Sequence, residues 1–356
     1  MTTNTATPNT ATPNTAALNT EAPNTATPNT ARTVLFDETG GPDVLRVEEV
    51  PLPAPGPGEV LVRVEALGLN RAEALFRAGA YYYQPALPGS RLGYEAAGTV
   101  EAVGPGVSAH SPGDAVLTGP GIEMSAQGVY ADRVVLPATA VVARPAGLDA
   151  VTGAATWLTY STAYGGMLET GGLRPGDHVV VTAASSGVGV AALQTAARIG
   201  AVPIAVTRTG EKRRQLLDNG AALVVASDTD DVVKEVRRFT GDKGAELIFD
   251  AVGGPGLAEL ARSATTTGTV VVYGSLDRRL MAVPLNWPMT VHGYANTHLS
   301  STPEGLRRIN AFIASGLRDG TFRPVVGEVF EGLESIRDAH RLMESNEHVG
   351  KIVVRL

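Results

Sequence analysis

The chemistry of this chain is concentrated in HVVVTAASSGVGVAALQTAARI, His178–Ile199. Val179, Val180 and Val181 form a β-branched run with no polar alternation, which suits a strand buried on both faces of a parallel sheet. Ala184, Ser185, Ser186, Gly187, Val188 and Gly189 follow, with side chains small enough for backbone to press against a pyrophosphate. Unsatisfied N–H groups opening the next helix would hold that anion. Gly200 is placed to end the helix in the left-handed conformation. The pattern reads as a dinucleotide site, and so as hydride chemistry.

Dinucleotide folds specific for NAD carry an acid ~20 residues beyond the glycine turn, where it holds the ribose hydroxyls. Here that region reads Thr207-Arg208-Thr209-Gly210-Glu211-Lys212-Arg213-Arg214. A hydroxyl followed by cations suits a 2′-phosphate, which a guanidinium grips with two prongs. NADPH is therefore expected over NADH, with Thr207, Arg208 and Lys212 at the phosphate. A plainer reading makes Lys212, Arg213 and Arg214 the solvated face of a helix, and it holds for at least one of them. Gly253 and Gly274-Ser275 end two later strands, at the sheet edge where such folds bind ligand.

The elements that must position these residues fit in 356 residues, enough for two domains with real cores. Aromatic residues are scarce, at 5%, while Ala, Val and Gly abound, as in an α/β protein packed with small and branched side chains. A formal charge of −7 with no basic stripe argues against nucleic acid or an anionic membrane as partner. The absence of cysteine excludes disulfides, thiolate zinc sites, iron–sulfur clusters and a cysteine nucleophile. No apolar run approaches the ~20 residues of a membrane helix. The N-terminus shows no basic and apolar signal regions, so a cytoplasmic enzyme is expected.

Residues 1–31 stand apart. Asn4, Asn9, Asn14, Asn19, Asn24 and Asn29 recur every five residues, with Pro8, Pro13, Pro23 and Pro28 forbidding a continuous helix. A disordered low-complexity tail is expected. From Arg32 to about Pro145 short strands alternate with Gly and Pro, among them Leu45–Val50, Glu59–Ala66, Gly98–Val103, Ala115–Leu117 and Val134–Leu136. From about Thr156 strands and helix-length segments alternate: Val179–Thr182, Pro203–Thr207, Leu223–Ala226, Leu247–Ala251, Val270–Tyr273 and a last strand near Val291–Ala295. That order predicts a parallel, doubly wound sheet. A helix over Pro303–Ser315 and a closing strand over Lys351–Leu356 complete the chain.

Six segments, in order and at family spacing, resemble the medium-chain dehydrogenase/reductase superfamily in its zinc-independent quinone oxidoreductase branch. They are GLNRAEALFRAGAY (Gly68–Tyr81), LGYEAAGTVEAVGPGV (Leu92–Val107), LTYSTAYGGM (Leu158–Met167), LRPGDHVVVTAASSGVG (Leu173–Gly189), FDAVGG (Phe249–Gly254) and VGKIVV (Val349–Val354). The resemblance implies an irregular β, GroES-like catalytic domain over 32–155 plus 292–356, a Rossmann domain over 156–291, a cleft between them, and a homodimer. Zinc-dependent relatives carry ligands where this chain has Asn70, Tyr94 and Leu158, none of which suits a catalytic zinc. The six histidines are scattered without ligand spacing, so no metal is expected.

By the same resemblance Thr162 lies beside the nicotinamide, and Asn70 and Tyr81 line its pocket, with Leu75 where relatives place a second tyrosine. Asn70 either donates to a carbonyl or the nicotinamide amide, or is satisfied by loop backbone. Tyr81 either gives a proton to a developing enolate or belongs to an apolar plug, Tyr81-Tyr82-Tyr83. Tyr94 is expected to fill the vacated metal space. Arg71 and Glu73 are expected as an ion pair facing the cofactor groove, and Lys351 either reaches the cofactor phosphates or lies on the surface. Trp157, Tyr160 and Tyr164 either wall the cleft or pack the domain junction.

The resulting expectation is an NADPH-dependent, zinc-independent reductase acting on a small molecule, a quinone or the C=C of an α,β-unsaturated carbonyl. Relatives that trigger a cyclisation in natural-product assembly fall in the same class. Two alternatives stand beside it: a metal-free ketone or aldehyde reductase, and a non-catalytic NADPH-binding regulatory or structural protein.

Overall fold

Runs of Val, Ile and Ala between glycine-rich turns build two sheets and a ribbon in the computed structural model, which describes residues 1–3, 29–119, 121–282, 284 and 288–356. The ribbon pairs β1 (Thr30–Leu35) antiparallel to β2 (Arg46–Pro51). The first sheet starts with β3 (Glu59–Gly68), β4 (Glu95–Val103), β5 (Ala115–Thr118), β6 (Arg133–Pro137) and β7 (Val141–Ala143). The second holds β8 (His178–Val181), β9 (Val202–Thr207), β10 (Leu223–Ala226), β11 (Ala245–Asp250), β12 (Ala264–Val272) and β13 (Thr290–Gly293). The chain then returns to the first sheet with β14 (Val326–Glu331) and β15 (Lys351–Arg355).

The second sheet is wholly parallel, in the order β10-β9-β8-β11-β12-β13. This is the doubly wound dinucleotide-binding order, whose switch point falls between β8 and β11. Val179, Val180 and Val181 are fully buried in its central strand. The helix Gly187–Arg198 lies against it on Ala191, Ala192 and Ala196, short side chains that let the helix sit close. Gly200 has φ +82 and ends that helix as expected.

In the first sheet β3 carries two strands on one edge: β6 pairs with Glu59–Arg63 and β15 with Ala66–Gly68. Both ends of the chain thus meet on one strand, and that places Lys351 at the cleft.

Two boundaries differ from the sequence reading. Thr30 and Ala31, assigned to the tail, belong to β1, where Ala31 is buried opposite Val50. The expectation of disorder for residues 4–28 lies outside the described residues. The return to the first domain comes later than residue 292, since β13 completes the parallel sheet and the helix Pro303–Arg318 packs on the helix Trp157–Ala163. Its buried Ile309 and Ile313 join Tyr160 and Phe322 in one core. Among the described residues no helix is long and apolar enough to cross a membrane.

Candidate active site

A cleft of about 1490 Å³ collects residues from both sheets. At its centre is the turn after β8. Ser186 caps the helix Gly187–Arg198: its Oγ accepts the Gly189 N–H at 3.1 Å and its carbonyl the Val190 N–H at 2.9 Å. The Gly187 N–H is turned to the Gly350 carbonyl in the Ser186–Gly350 bridge, and among the described residues the Val188 N–H has no acceptor, so it is the donor left for an anion. Ser185, Ser186, Gly187 and Val188 line the cleft. Gly189, expected among the cofactor contacts, does not. A Cβ there would stand 2.6 Å from the carbonyl oxygens of Ala183 and Ala184, so this glycine serves close packing of helix on strand.

The switch point is held by Thr182 and Asp250. Thr182 donates its hydroxyl to Asp250 Oδ1 at 2.6 Å and accepts the Ala251 N–H at 2.9 Å. Asp250 also takes the N–H groups of Val252 and Gly253, which fixes the turn where Gly253 adopts φ +67. Gly253, Gly274 and Ser275 all reach the cleft, as does Thr162, which is 8% exposed.

At the end of β9 Thr207 is buried against the cleft. Arg208 is exposed and lines the cleft, and among the described residues its guanidinium has no hydrogen-bond or ion-pair partner. Lys212 lies beside it, donating to the carbonyls of Asn346 at 2.8 Å and His348 at 2.9 Å and to Ser185 Oγ at 3.4 Å. Burial, with the Arg208 charge, lowers the Lys212 pKa from its ordinary value. Arg214 is the solvated residue of the group, 87% exposed with an Asp218 partner at 3.0 Å. Arg213 ties the strand end instead, through the Val224 carbonyl and Asp230.

The catalytic half of the cleft is organised by buried charge. Lys351, 4% exposed, makes an ion pair of 2.6 Å with Glu95, 1% exposed. It also donates a short hydrogen bond to Asn70 Oδ1. The surface position expected as one alternative for Lys351 does not hold, because its ammonium is committed to Glu95 and Asn70 inside the protein, at the wall of the cleft. Asn70 Nδ2 donates to the Gly68 carbonyl at 3.1 Å and to Glu73 at 3.2 Å, so its amide is spent on the protein too.

Glu73 accepts the Asn70 N–H at 2.7 Å, the Tyr94 N–H at 3.0 Å and the Tyr130 hydroxyl. Complete burial raises its pKa, against the pull of Tyr130 and Lys351. Arg71 is not its partner, contrary to expectation. It reaches away to the Met343 carbonyl and Asn346.

Tyr81 and Tyr94 line the cleft, and Tyr94 donates its hydroxyl to Tyr81 at 3.3 Å. Burial raises the pKa of both phenols, which keeps them protonated. The plug reading holds for the rings of the same run: Tyr83 packs 5.1 Å from Phe76, and Tyr82, 72% exposed, lies 4.4 Å from Tyr81. Trp157 lines the cleft while its Nε1 donates to Asn310 at 2.8 Å. Tyr160 and Tyr164 are packing residues bonded to Gln194 and Glu169.

Residues 56–146 match the family described as Alcohol dehydrogenase GroES-like domain, and residues 187–304 the one described as Zinc-binding dehydrogenase. A quinone oxidoreductase of Lama guanicoe is 32% identical over 331 residues, 91% of this chain and 97% of the relative. The chain belongs to the medium-chain dehydrogenase/reductase superfamily, in its quinone oxidoreductase-like branch. A synaptic vesicle membrane protein VAT-1 homolog of Rattus norvegicus is 30% identical over 91% of this chain and 83% of that protein. Among solved structures, the Escherichia coli quinone oxidoreductase complexed with NADPH aligns with a TM-score of 0.85 at 27% identity, over 92% of this chain and 100% of that one.

Against the zinc-binding members of the superfamily, the donor set here does not fit the metal. Asn70, Tyr94 and Leu158 do converge, around Glu95, which accepts the Leu158 N–H at 2.9 Å. Yet an amide spent on carboxylates, a protonated phenol and an alkyl chain offer no ligand set for zinc. Among the described residues no group of three or more His, Asp or Glu is arranged to hold a metal ion. The sequence reading missed Glu95, Asp250, Asn346 and His348. The first two stand inside the quoted LGYEAAG and FDAVGG segments, whereas Asn346 and His348 act through main-chain carbonyls that leave no trace in residue type.

Proposed function

We propose that this protein is an NADPH-dependent, zinc-independent reductase that delivers hydride to a quinone or to the C=C of an α,β-unsaturated carbonyl. The observation that carries the reading is one cleft that joins the Arg208 guanidinium, without a partner among the described residues, and the neighbouring Lys212 to the hydroxyl of Tyr81. When bound, NADPH supplies the hydride. Arg208 and Lys212 would take its 2′-phosphate, the Val188 N–H at the helix start its pyrophosphate, and Thr162 would stand at the nicotinamide. Conjugation spreads the developing charge of such an acceptor onto an oxygen that asks for a hydrogen bond, and Tyr81 O–H gives it. Asn70, with its amide committed, positions Lys351. Quinone oxidoreductases among the relatives, and the NADPH held by the Escherichia coli protein, support this assignment. A natural-product enone whose reduction triggers cyclisation falls in the same substrate class.

The reading extends to a homodimer. Among the described residues strand β13 ends the parallel sheet as an open edge, with Val291 43% exposed and Leu280, ten positions before the strand, 93% exposed.

The test is NADPH oxidation by the purified protein against quinones, 2-enones and simple ketones, with NADH alongside. Quinones or enones are expected to be reduced with NADPH preferred. Arg208→Ala is expected to raise the KM for NADPH by about tenfold to a hundredfold and leave NADH unaffected. Turnover of ketones alone, or indifference to Arg208→Ala, would contradict the reading.

A further inference from the structure

Three phenols form a hydroxyl chain in the wall of the cleft. Tyr94 O–H donates to the Tyr81 oxygen at 3.3 Å, and the Tyr83 and Tyr94 oxygens are 2.9 Å apart. A phenol has a single proton to donate. That of Tyr94 is given to Tyr81, so the 2.9 Å bond is donated by Tyr83. Tyr81 does not give its own proton to Tyr94, which leaves it for the exposed Tyr82 hydroxyl or for whatever enters the cleft. The chain is polarised in one direction, from Tyr83 through Tyr94 to Tyr81 and into the site, and each bond strengthens the next.

The rings are held for this. Fully buried Phe76 packs edge-on to Tyr81 at 6.4 Å and against Tyr83 at 5.1 Å, and Tyr81 and Tyr83 lie 5.2 Å apart. The main chain of Tyr94 is pinned on both sides, its N–H to Glu73 at 3.0 Å and its carbonyl to Thr118 at 2.8 Å. The two buried carboxylates at the cleft do not compete for the phenols that line it, since Glu95 holds Lys351 and Leu158 while Glu73 holds Asn70, Tyr94 N–H and Tyr130.

We propose that Tyr83, Tyr94 and Tyr81 form a proton relay, in which Tyr83 and Tyr94 resupply the proton that Tyr81 gives to the acceptor oxygen. The proposal rests on the reductase reading. Hydride from NADPH makes the new C–H bond, and the displaced π electrons come to rest on the acceptor oxygen. The Tyr81 O–H bond breaks as the acceptor O–H forms. The Tyr94 proton passes to Tyr81, the Tyr83 proton to Tyr94, and a solvent proton to Tyr83. Tyr94 and Tyr83 are positioning residues that act through Tyr81.

The test compares wild type with Tyr94→Phe, which keeps the ring and removes the hydroxyl. With any acceptor that the wild type reduces, kcat is expected to fall about tenfold or more, with the KM for NADPH unchanged. The solvent deuterium isotope effect on kcat is expected to rise as proton delivery becomes limiting. Without turnover, 4-nitrophenol serves as an inert mimic whose absorbance reports its protonation, and Tyr94→Phe is expected to bind the phenolate about threefold or more weakly than wild type. Tyr83→Phe, farther from the acceptor, is expected to shift the same three readouts less, and replaces Tyr94→Phe if that variant does not fold. Wild-type kcat, isotope effect and phenolate affinity in these variants would overturn the relay and leave the reductase reading intact. A wild type inert toward every acceptor would overturn the reductase reading, while the phenolate comparison would still decide whether the chain is polarised.

Discussion

At the scale of single residues, the site depends on charges that have left water. Lys351 and Glu95 are almost wholly buried, and each is the other's main compensation. Removing one partner of such a pair leaves an uncompensated buried charge, which costs about 3–5 kcal/mol. Lys351→Met is therefore expected to lower unfolding stability by about that much, read from the urea midpoint at unchanged slope. The double variant Lys351→Met with Glu95→Gln is expected to recover part of it. An unchanged midpoint in the single variant would contradict the pairing. The sequence made Asn70 legible as a cleft residue but not as the support of this lysine. The contact spans 281 positions, and the amide's chemistry would have suited a substrate equally well.

At the scale of elements, the segment before β15 clamps the glycine turn. Gly350 N–H donates to the Ser185 carbonyl at 2.8 Å, and Lys212 is tied to the carbonyls of Asn346 and His348. The His348 ring is largely buried there, and among the described residues its Nδ1 has no partner. Burial, then the charges of Lys212, Arg71 and Lys351, push its pKa down to about 4. Its unfolded value lies near 6.5, so between these limits the unfolded chain binds the extra proton. Stability from this group is present above about pH 6.5 and is lost as pH falls toward about 4. His348→Gln is expected to flatten the fall in urea midpoint over that window, with buried His340 keeping its own share. An unaltered pH slope would show that the ring is solvated. Lys212 was legible in sequence, but the carbonyls and N–H groups that complete the clamp were not, since main-chain groups leave no trace in residue type. Strands β8 to β11 were legible because doubly buried strands are written mostly in Val, Ile, Ala and Leu. The early start of β12 was hidden in exposed Thr266 and Thr267.

At the scale of the whole molecule, two sheets joined by two chain crossings place a phosphate-binding end and a phenol-lined end in a single cleft. The doubly wound half was readable from its alternation of strands and helices. The joining of β15 to β3 came only from resemblance, because antiparallel pairing between residues so far apart leaves no periodic signal. The open edge of β13 predicts the assembly. Val291→Glu is expected to shift the mass in solution from dimer to monomer by light scattering, and a wild-type monomer would contradict this arrangement.

The most direct measurement of the central claim is the fate of deuterium from NADPH labelled at the nicotinamide C4, followed by NMR of the product formed from a 2-enone. Deuterium is expected on the β-carbon of a saturated ketone. Deuterium on the carbonyl carbon of an allylic alcohol, or none transferred to any acceptor, would contradict it.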